Sequence, residues 1–381
     1  MAALLILAAL VFAAAPLARP AHASTVLATV PVGNYPWGIA YDSGKNEVFV
    51  ANSGDNTTTV ISDVSDANIA TIKVGASPLY AAYDSGKGEV FVTNAGAGTV
   101  SVISDTKNAV VATVAVGHGP GGIAYDPVKG EVFVANNADN TVSVISDATN
   151  SVILTLKVGT TPVGVVYDSG KGEMFVANFG ANNVSVISDS TNAVIATVVV
   201  GNTPYGLAYD SAKGEVFVAN EDYNVLLNTD TLSVISDATN TVISTVGVGL
   251  GPAWDAYDSA KGEIFVALSD ETISVVSDKS NSLIGGLTSQ ATGPLVYDPA
   301  RGVIFVSAAQ GNTVAVLSDV ILPPSSSTSN SSTSSSASTS STAPEFPAAS
   351  LAVVSLVILA AVAYISRRLQ SKQAPSFPWL R

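Results

Sequence analysis

The chain has 381 residues, of which 47% are hydrophobic and 12% charged, and its formal net charge is −14. Because it contains no cysteine, a disulfide framework, a thiolate metal site and a cysteine nucleophile are excluded. Val, Ile, Thr, Asn, Asp and Gly dominate while Lys, Arg and Glu are scarce, which argues against a helical or disordered protein and is typical of strands and turns.

The first 23 residues, MAALLILAALVFAAAPLARPAHA, predict a secretory signal peptide. An apolar run too short to span a membrane comfortably precedes Ala21-His22-Ala23, which has the small-x-small pattern of a cleavage site. We therefore expect residues 1–23 to be removed before Ser24. The run has no Lys or Arg at its start, so an uncleaved N-terminal anchor is the alternative.

A stretch of a dozen residues, most clearly YDSGKGEVFVTN at 83–94, recurs along the middle of the chain. The Tyr-Asp pairs that begin the copies are 42, 42, 42, 42, 48 and 40 residues apart. Periods of this length with several strand-like runs are typical of propeller blades. We predict an all-β fold, a seven-bladed β-propeller of four-stranded blades, over residues 24–322.

The fourth repeat shows the predicted unit, whose strands are Pro162–Asp168, Glu173–Asn178, Asn183–Asp189 and Ala193–Gly201. The second and third are apolar on both faces, as a blade stacked between two neighbours requires. The seventh repeat stops after its third strand, and STVLATVPVG at residues 24–33 matches the missing fourth. We expect the two ends of the domain to pair and to close the ring.

The repeat strings VG-x-x-P-x-G-I-A-Y-D, E-V-F-V-A-N, N-T-V-S-V-I-S-D and T-N-x-V-I-A-T-V resemble those of YVTN-family β-propellers. This group is related to lactonase-like and virginiamycin-lyase-like propellers and is common among archaeal surface proteins. The resemblance implies the propeller fold over residues 24–322. It does not choose a function, because the family includes surface-layer components, adhesins and enzymes.

The composition changes after Pro323-Pro324 to a Ser/Thr tract, and residues 323–343 predict an extended, O-glycosylated stalk. Ala348–Ile365 is an uncharged run of 18 residues, which makes about 27 Å of helix and is long enough to cross a membrane. The basic residues that follow it predict a cytoplasmic tail at 369–381, so the propeller would lie outside the cell.

Residues 344–368 resemble an archaeal PEF-CTERM sorting signal, through Pro344-Glu345-Phe346, the apolar run and Arg367-Arg368. The resemblance implies cleavage near the motif by an archaeosortase and attachment to a lipid. The tail after Arg368 is longer than such signals usually carry, which leaves a permanent single-span anchor as the alternative. Either outcome tethers the protein at the cell surface.

Catalytic side chains are scarce. After removal of the signal peptide the one histidine is His118, which stands in a turn without an obvious partner, so histidine-ligated metal sites and Ser-His-Asp triads lack their parts. Most acids belong to the Tyr-Asp and Ser-Asp turns repeated in each blade and are interpreted as structural. We assign no catalytic residue and no cofactor, although loop Asp and Asn side chains leave Ca²⁺ as a hypothesis.

The loops that join strand two to strand three, and strand four to the next blade, differ between repeats and share one face. The fifth repeat carries its whole excess length at 221–231, and Asp255 stands where the other blades have apolar residues. An aromatic and acidic pocket for a sugar or a cation is the hypothesis; the alternative is that the aromatics only fill the blade junction. The candidate ligand-binding residues are Tyr205, Glu221, Asp222, Tyr223, Trp254 and Asp255.

Eleven basic and thirty acidic residues lie between positions 24 and 346, a net charge of −19. Such a charge disfavours nucleic acid and anionic lipid as partners. Sequons at Asn56, Asn183 and Asn330 predict glycosylation outside the cell.

We expect a non-enzymatic surface protein for recognition, adhesion or envelope assembly. Its partners would be cell-envelope glycans or surface proteins, with the membrane reached through the C-terminal helix or a sortase-attached lipid. The alternative is an extracellular carbohydrate-active or lyase-type enzyme that uses carboxylates of the variable loops.

Overall fold

The computed structural model describes residues 26–222 and 230–320. The predicted signal peptide, stalk, sorting motif, membrane helix and tail lie outside the described residues. The chain divides into two units, Met1–Ser325 and Ser326–Arg381, and the described residues belong to the first. In this part of the chain, no helix is long and apolar enough to cross a membrane.

The regular structure is a series of strands, β1 to β28. The innermost strands are β2 Pro36–Asp42, β6 Pro78–Asp84, β10 Pro120–Asp126, β14 Pro162–Asp168, β18 Pro204–Asp210, β22 Trp254–Asp258 and β26 Leu295–Asp298. The second strands are β3 Glu47–Asn52, β7 Glu89–Asn94, β11 Glu131–Asn136, β15 Glu173–Asn178, β19 Glu215–Asn220, β23 Glu263–Ala267 and β27 Val303–Ala308.

The third strands are β4 Thr57–Ser62, β8 Thr99–Ser104, β12 Thr141–Ser146, β16 Asn183–Ser188, β20 Thr231–Ser236, β24 Thr272–Ser277 and β28 Thr313–Ser318. The outer strands are β1 Val26–Pro31, β5 Ala67–Lys73, β9 Ala109–Ala115, β13 Ser151–Lys157, β17 Ala193–Val199, β21 Thr241–Gly247 and β25 Ser282–Thr288. These bounds agree with the predicted four-strand unit.

The strands form seven four-stranded antiparallel sheets. Each of the first six consists of four consecutive strands, and we number these blades 1 to 6 in chain order. Blade 7 has the order β1-β28-β27-β26, so the first strand of the domain completes the last blade, as predicted. The inner strands of neighbouring blades contact one another around a central axis, and the seven-bladed β-propeller is confirmed.

The core lies between the blades. Each second strand supplies one fully buried phenylalanine, and these are Phe49, Phe91, Phe133, Phe175, Phe217, Phe265 and Phe305. Seven apolar clusters each join two neighbouring blades. In one of them, Phe305 of blade 7 packs with Val48 and Val50 of blade 1. This explains why the second and third strands are apolar on both faces, since both faces of a blade are covered by its neighbours.

The outer strand of each blade contains a β-bulge that leaves one residue without a partner in the neighbouring strand. A bulge bends the strand and turns the extra side chain away from the ladder. The bulge residues are Leu27, Ile69, Val111, Ile153, Ile195, Ile243 and Ile284.

Candidate functional site

The connections between strands separate onto two faces of the propeller. The hairpins that join first to second strands and third to fourth strands lie on one face, which we call the hairpin face. The loops that join second to third strands, and outer strands to the next inner strand, lie on the opposite face, which we call the variable-loop face. This division follows from the antiparallel order of every blade and agrees with the predicted one.

On the hairpin face, a basic side chain of each blade binds the next blade. Lys261 of blade 6 donates to the main-chain oxygen of Asp319 at 3.0 Å, and its Nζ lies 2.8 Å from that carboxylate. Arg301 closes the ring, because it bonds Asp63 and Asp66 of blade 1. The pairs are Lys45–Asp105, Lys87–Asp147, Lys129–Asp189, Lys171–Asp237, Lys213–Asp278, Lys261–Asp319 and Arg301–Asp63.

The acids of this face are structural, as the repeats predict. Asp168 shows the pattern: its Oδ1 accepts hydrogen bonds from the amides of Gly170 and Lys171 at 2.7 and 3.1 Å and fixes the turn. The tyrosine of each Tyr-Asp pair lies among such acids. The hydroxyl of Tyr297 donates to Asp319 Oδ2 at 3.0 Å, and burial together with this acid raises the pKa of Tyr297.

On the variable-loop face, four aromatic side chains from four blades meet. The rings of Trp254 and Tyr205 lie 5.5 Å apart, and those of Trp254 and Trp37 lie 5.3 Å apart, both edge to face. Burial raises the pKa of Tyr80, an effect partly opposed by Tyr205, Trp254 and Trp37, so Tyr80 belongs to the same group. Because blades 1 and 6 are not neighbours, these side chains reach across the axis. We call Trp37, Tyr80, Tyr205 and Trp254 the aromatic plug.

The plug depends on which blades lack a glycine. At three residues before the tyrosine of the Tyr-Asp pair, blades 1, 3, 4 and 5 have Gly38, Gly122, Gly164 and Gly206, whereas blades 2 and 6 have Tyr80 and Trp254. A Cβ at Gly164 would lie 2.1 Å from the main-chain oxygen of Tyr205, so neighbouring inner strands approach too closely there for a side chain. The two bulky residues therefore occupy space that the glycines leave open.

Asp255 lies next to the plug on the inner strand of blade 6. The residue is partly exposed, yet both carboxylate oxygens are occluded and have no hydrogen-bond partner of regular geometry among the described residues. Burial raises the pKa of Asp255 well above its usual range, and the main-chain amides of Asp255 and Ala208 oppose this only in part. A Cβ at Gly206 would lie 2.7 Å from Oδ1, so the carboxyl occupies the gap between blades 5 and 6.

The indole nitrogen of Trp254 is also occluded, and no hydrogen bond of regular geometry reaches Nε1 among the described residues, although the Trp254 side chain lies close enough to Tyr80 to oppose the rise of its pKa. Such groups are uncommon in folded proteins because losing water without gaining a partner costs free energy. The hairpin face also has occluded oxygens, such as Asp168 Oδ2, but these recur at the same position in every blade, whereas the Trp254 and Asp255 groups occur in blade 6 alone among the described residues.

The base of the fifth-repeat insertion is fixed beside the plug. Asp230 accepts from the amide of Asp222 at 2.7 Å and from the amide of Gly251 at 3.0 Å. Asp222 also accepts from Asn202 Nδ2 at 3.3 Å, and Glu221 lies near Gly251. Five of the six candidate residues thus come from adjoining segments of blades 5 and 6, whereas Tyr223 lies outside the described residues.

The sequence analysis missed Trp37, Tyr80 and Phe179; the last contacts Tyr205 with ring centroids 6.1 Å apart. Tyr80 carried a signal, because it stands at the glycine position that Trp254 also fills. Trp37 carried none, since its contact with Trp254 crosses the axis between distant blades.

The prediction that His118 has no obvious partner was wrong. Its Nδ1 lies 3.1 Å from both carboxylate oxygens of Asp139, and its amide donates to Asp139 at 2.7 Å. The main-chain hydrogen bond, and then the imidazole, lower the pKa of Asp139. The pairing joins two loops 21 residues apart. Repetition could have shown it, because Asn34 makes the same main-chain bond to Asp55 in blade 1.

Open clefts lie elsewhere on this face. One of about 420 Å³ borders Asp139, and one of about 580 Å³ borders Tyr35 and Asn312. At the plug, the rings of Trp37, Tyr205 and Trp254 pack against one another. A ligand there would bind at the outer rim of the plug.

Two of the three predicted glycosylation sites lie in the described residues. Asn56 is exposed on the variable-loop face, and its Oδ1 accepts from the amide of Ser77 at 2.8 Å. Asn183 is partly buried at the start of β16 and accepts from Asn178 at 2.8 Å. Asn330 lies outside. Glycosylation at all three stays a prediction.

Within residues 26–222 and 230–320, no group of three or more His, Asp or Glu side chains is placed to hold a metal ion. Binding of Ca²⁺ by loop Asp and Asn side chains stays a prediction.

The fold places the chain in the class of seven-bladed β-propellers with four-stranded blades. No protein-family model matches the sequence, and no curated protein matches it either. Among solved structures 1699 chains match, so the architecture is too widely shared to indicate one activity. One of them is hydrazine synthase of Kuenenia stuttgartiensis, with a TM-score of 0.68 and 15% identity over 75% of this chain and 96% of that chain. A likeness at this identity concerns the fold alone.

Proposed function

We propose that the protein is a non-enzymatic, surface-anchored propeller that binds a ligand on its variable-loop face, at the rim formed by blades 5 and 6. The ligand class is a sugar of the cell envelope or a cationic group, because aromatic edges beside a carboxyl suit both. Adhesion and envelope assembly are the roles that such binding would serve.

The observation that carries the proposal is the orphan carboxyl of Asp255. A buried acid without a partner destabilises a fold, and the equivalent positions of the other blades do without one, since they carry Ile39, Ala81, Ile123, Val165, Leu207 and Leu295. A ligand that donates to this carboxyl and to the rim of Trp254 would supply the missing partner.

Surface anchoring rests on sequence features outside the described residues. The Ser/Thr tract, the apolar run and the basic residues after it support a stalked, membrane-tethered protein whose propeller faces outward. The resemblance to YVTN-family propellers and to PEF-CTERM signals supports an archaeal surface protein. Protease added to intact cells should release the propeller by cutting in the stalk, whereas protection of the propeller would reverse the orientation.

Binding of the full-length chain to a glycan array and to solubilised cell envelope tests the function. We expect specific binding that Asp255→Leu lowers at least about tenfold, equivalent to about 1.4 kcal/mol. Asp270→Ala is the matched control, because Asp270 is an exposed acid of blade 6 on the same face. Unchanged binding by Asp255→Leu, with a lower melting temperature, would make Asp255 a structural acid and refute the site.

An extracellular enzyme is the second candidate, and the His118–Asp139 pair favours it. A carboxylate that orients an exposed imidazole is a usual arrangement for a general base. Turnover of polysaccharides or lactones by the wild-type chain that disappears in His118→Asn would establish this function. Absence of turnover with either chain leaves the non-enzymatic proposal in place.

A further inference from the structure

The perimeter of the propeller presents apolar side chains to solvent at one repeated position. All seven bulge residues of the outer strands are exposed, by 42% to 51% of their surface. Scattered exposed apolar residues are common on proteins. A branched aliphatic residue at the same bulge in every blade is a pattern, and it lies at a sheet edge, where natural proteins usually place charge.

The bulge determines how this edge can be used. An outer strand offers unpaired main-chain groups that could pair with another strand, and a bulge in mid-strand interrupts such pairing. A contact on the perimeter must therefore rely on side chains. In most blades the bulge residue is followed by a small one, such as Ala70 or Gly285, so the bulge side chain projects beyond its neighbour along the strand.

The perimeter is most apolar at blades 3 and 4, which are adjacent. Blade 3 exposes Leu154 beside Ile153, by 38% and 51%. Blade 4 exposes Val194, Ile195 and Val199, by 39%, 51% and 76%. No other two adjacent outer strands expose as many large apolar side chains as these five, and exposed apolar side chains concentrated in one region mark interaction surfaces.

The distribution of charged residues indicates which partner binds the perimeter. The chain has 30 acids and a net charge of −14, yet the seven outer strands contain no acid and only two charged residues, Lys73 and Lys157. Two copies can thus meet edge to edge without bringing their acids together. A bilayer would contact one side of the ring, whereas this pattern is repeated on every side, as suits contact with further copies.

We propose that the protein self-associates through the edges of blades 3 and 4, with a second copy as the occupant. A two-fold contact places the same five residues on both sides, as in most homodimers. The bulge residues of the other blades lie at equivalent positions and provide weaker contacts, so additional copies can join around the ring. This inference goes beyond the proposed ligand binding and does not depend on it.

The cysteine-free sequence gives a direct test with the purified full-length chain. Ile195→Cys should form cross-linked dimers with a short bismaleimide, and Ile284→Cys, at the same bulge of blade 6, should form few. In sedimentation velocity, Ile153→Glu with Ile195→Glu should weaken dimerisation at least about tenfold. Ile69→Glu with Ile284→Glu adds the same charge at the same bulge and should change it less than about twofold.

The outcomes separate clearly. Both double variants should keep the wild-type circular dichroism spectrum, because the substituted residues are exposed at bulges. A wild-type chain that stays monomeric at all concentrations overturns the proposal. Association that persists in Ile153→Glu with Ile195→Glu also overturns it, because another segment, such as the C-terminal apolar run, would then hold the copies together.

Discussion

The two faces of the propeller differ in how closely their residues repeat from blade to blade. On the hairpin face, every blade repeats a basic side chain that binds the next blade, an Asx turn and a tyrosine that lies among acids. On the variable-loop face, the loops change from blade to blade, and no hydrogen bond of regular geometry reaches the Asp255 carboxyl among the described residues. The hairpin face holds the ring together, and the variable-loop face carries the residues that differ between blades.

The difference shows how a repeat protein can hold an unfavourable group. The ring is closed twice, by the β1–β28 pairing and by Arg301 binding Asp63, and each blade is locked to the next by packing. Because the ring is closed in two ways, the fold remains stable despite the free energy lost by burying the Asp255 carboxyl.

The largest expected effect is loss of closure. Deleting residues 24–33 removes β1 and exposes the edge of β28, so we expect unfolding to become easier by several kcal/mol and the chain to aggregate. Thermal melting and light scattering measure this. Leu27→Ser is the control within the same strand, because that side chain is half exposed, and it should change little. A monomeric deletion variant with unchanged melting would show that β1 does not close the ring.

A smaller effect is expected for Arg301→Ala, the basic residue that joins blade 7 to blade 1. The Arg301 side chain is 29% exposed and that of Asp63 only 2%, so the substitution leaves a buried carboxylate unpaired and should cost about 2 kcal/mol. Lys129→Ala, at the same position of the ring but bonded only to a main-chain oxygen, should cost under about 1 kcal/mol. Chemical denaturation compares them. If both variants lose the same free energy of unfolding, the Arg301–Asp63 pair stabilises the ring no more than Lys129 does.

The hairpin face could be predicted from the sequence because its contacts are local and repeated. The turn at Asp168 needs only residues up to Gly172, and strand bounds such as Pro162–Asp168 follow from alternation and turn chemistry. The closing pair was predictable for a related reason, since an incomplete last blade and a spare strand at the start can satisfy each other.

The aromatic plug could be predicted only in part. Asp255 and Trp254 depart from the repeat, so they were found, but Trp37 meets Trp254 through a contact between distant blades that no local pattern encodes. The bond from His118 to Asp139 joins two loops of blade 3, and its main-chain part recurs between Asn34 and Asp55 of blade 1, so comparison of the repeats could have shown it. The outward direction of the bulge residues was not predicted. Repeats predict which residues are equivalent, not the direction in which a side chain points. Tyr223 lies outside the described residues, and its role stays a prediction.

The orphan carboxyl gives a pH-dependent prediction. The pKa of Asp255 is raised in the folded state, whereas an unfolded aspartate has a pKa near about 3.9. The folded state therefore binds this proton more tightly, and stability declines as the pH rises from about 4 toward the folded pKa. Asp255→Leu should raise stability by about 1 kcal/mol at neutral pH, and by less at pH near about 4.

Melting temperatures of the two chains across this pH range check the sign. Asp255→Asn is the control, because it removes the ionisable group without adding apolar packing, and it should also flatten the pH dependence. If the leucine variant melts lower than the wild type at neutral pH, the carboxyl has a partner in solution and the contrast between the faces fails at this point.

The smallest expected effect tests the backbone of the variable-loop face. In blades 1 to 5 the residue before the proline that begins the inner strand has a positive φ, 51° at both Tyr35 and Ser77, and 60° at Gly119, its counterpart in blade 3. Side chains other than glycine are strained there by about 1 kcal/mol, and the greater freedom of unfolded glycine offsets about half of this. Tyr35→Gly and Ser77→Gly should each raise stability by about 0.5 kcal/mol, near 1 °C in Tm.

The first variant removes an aromatic ring, and the second removes only a hydroxymethyl group. Tyr35 is 57% exposed beside an open cleft, so its ring stabilises the fold little. Marked destabilisation by Tyr35→Gly alone would show that the ring packs in solution and that this loop, too, is fixed by the fold.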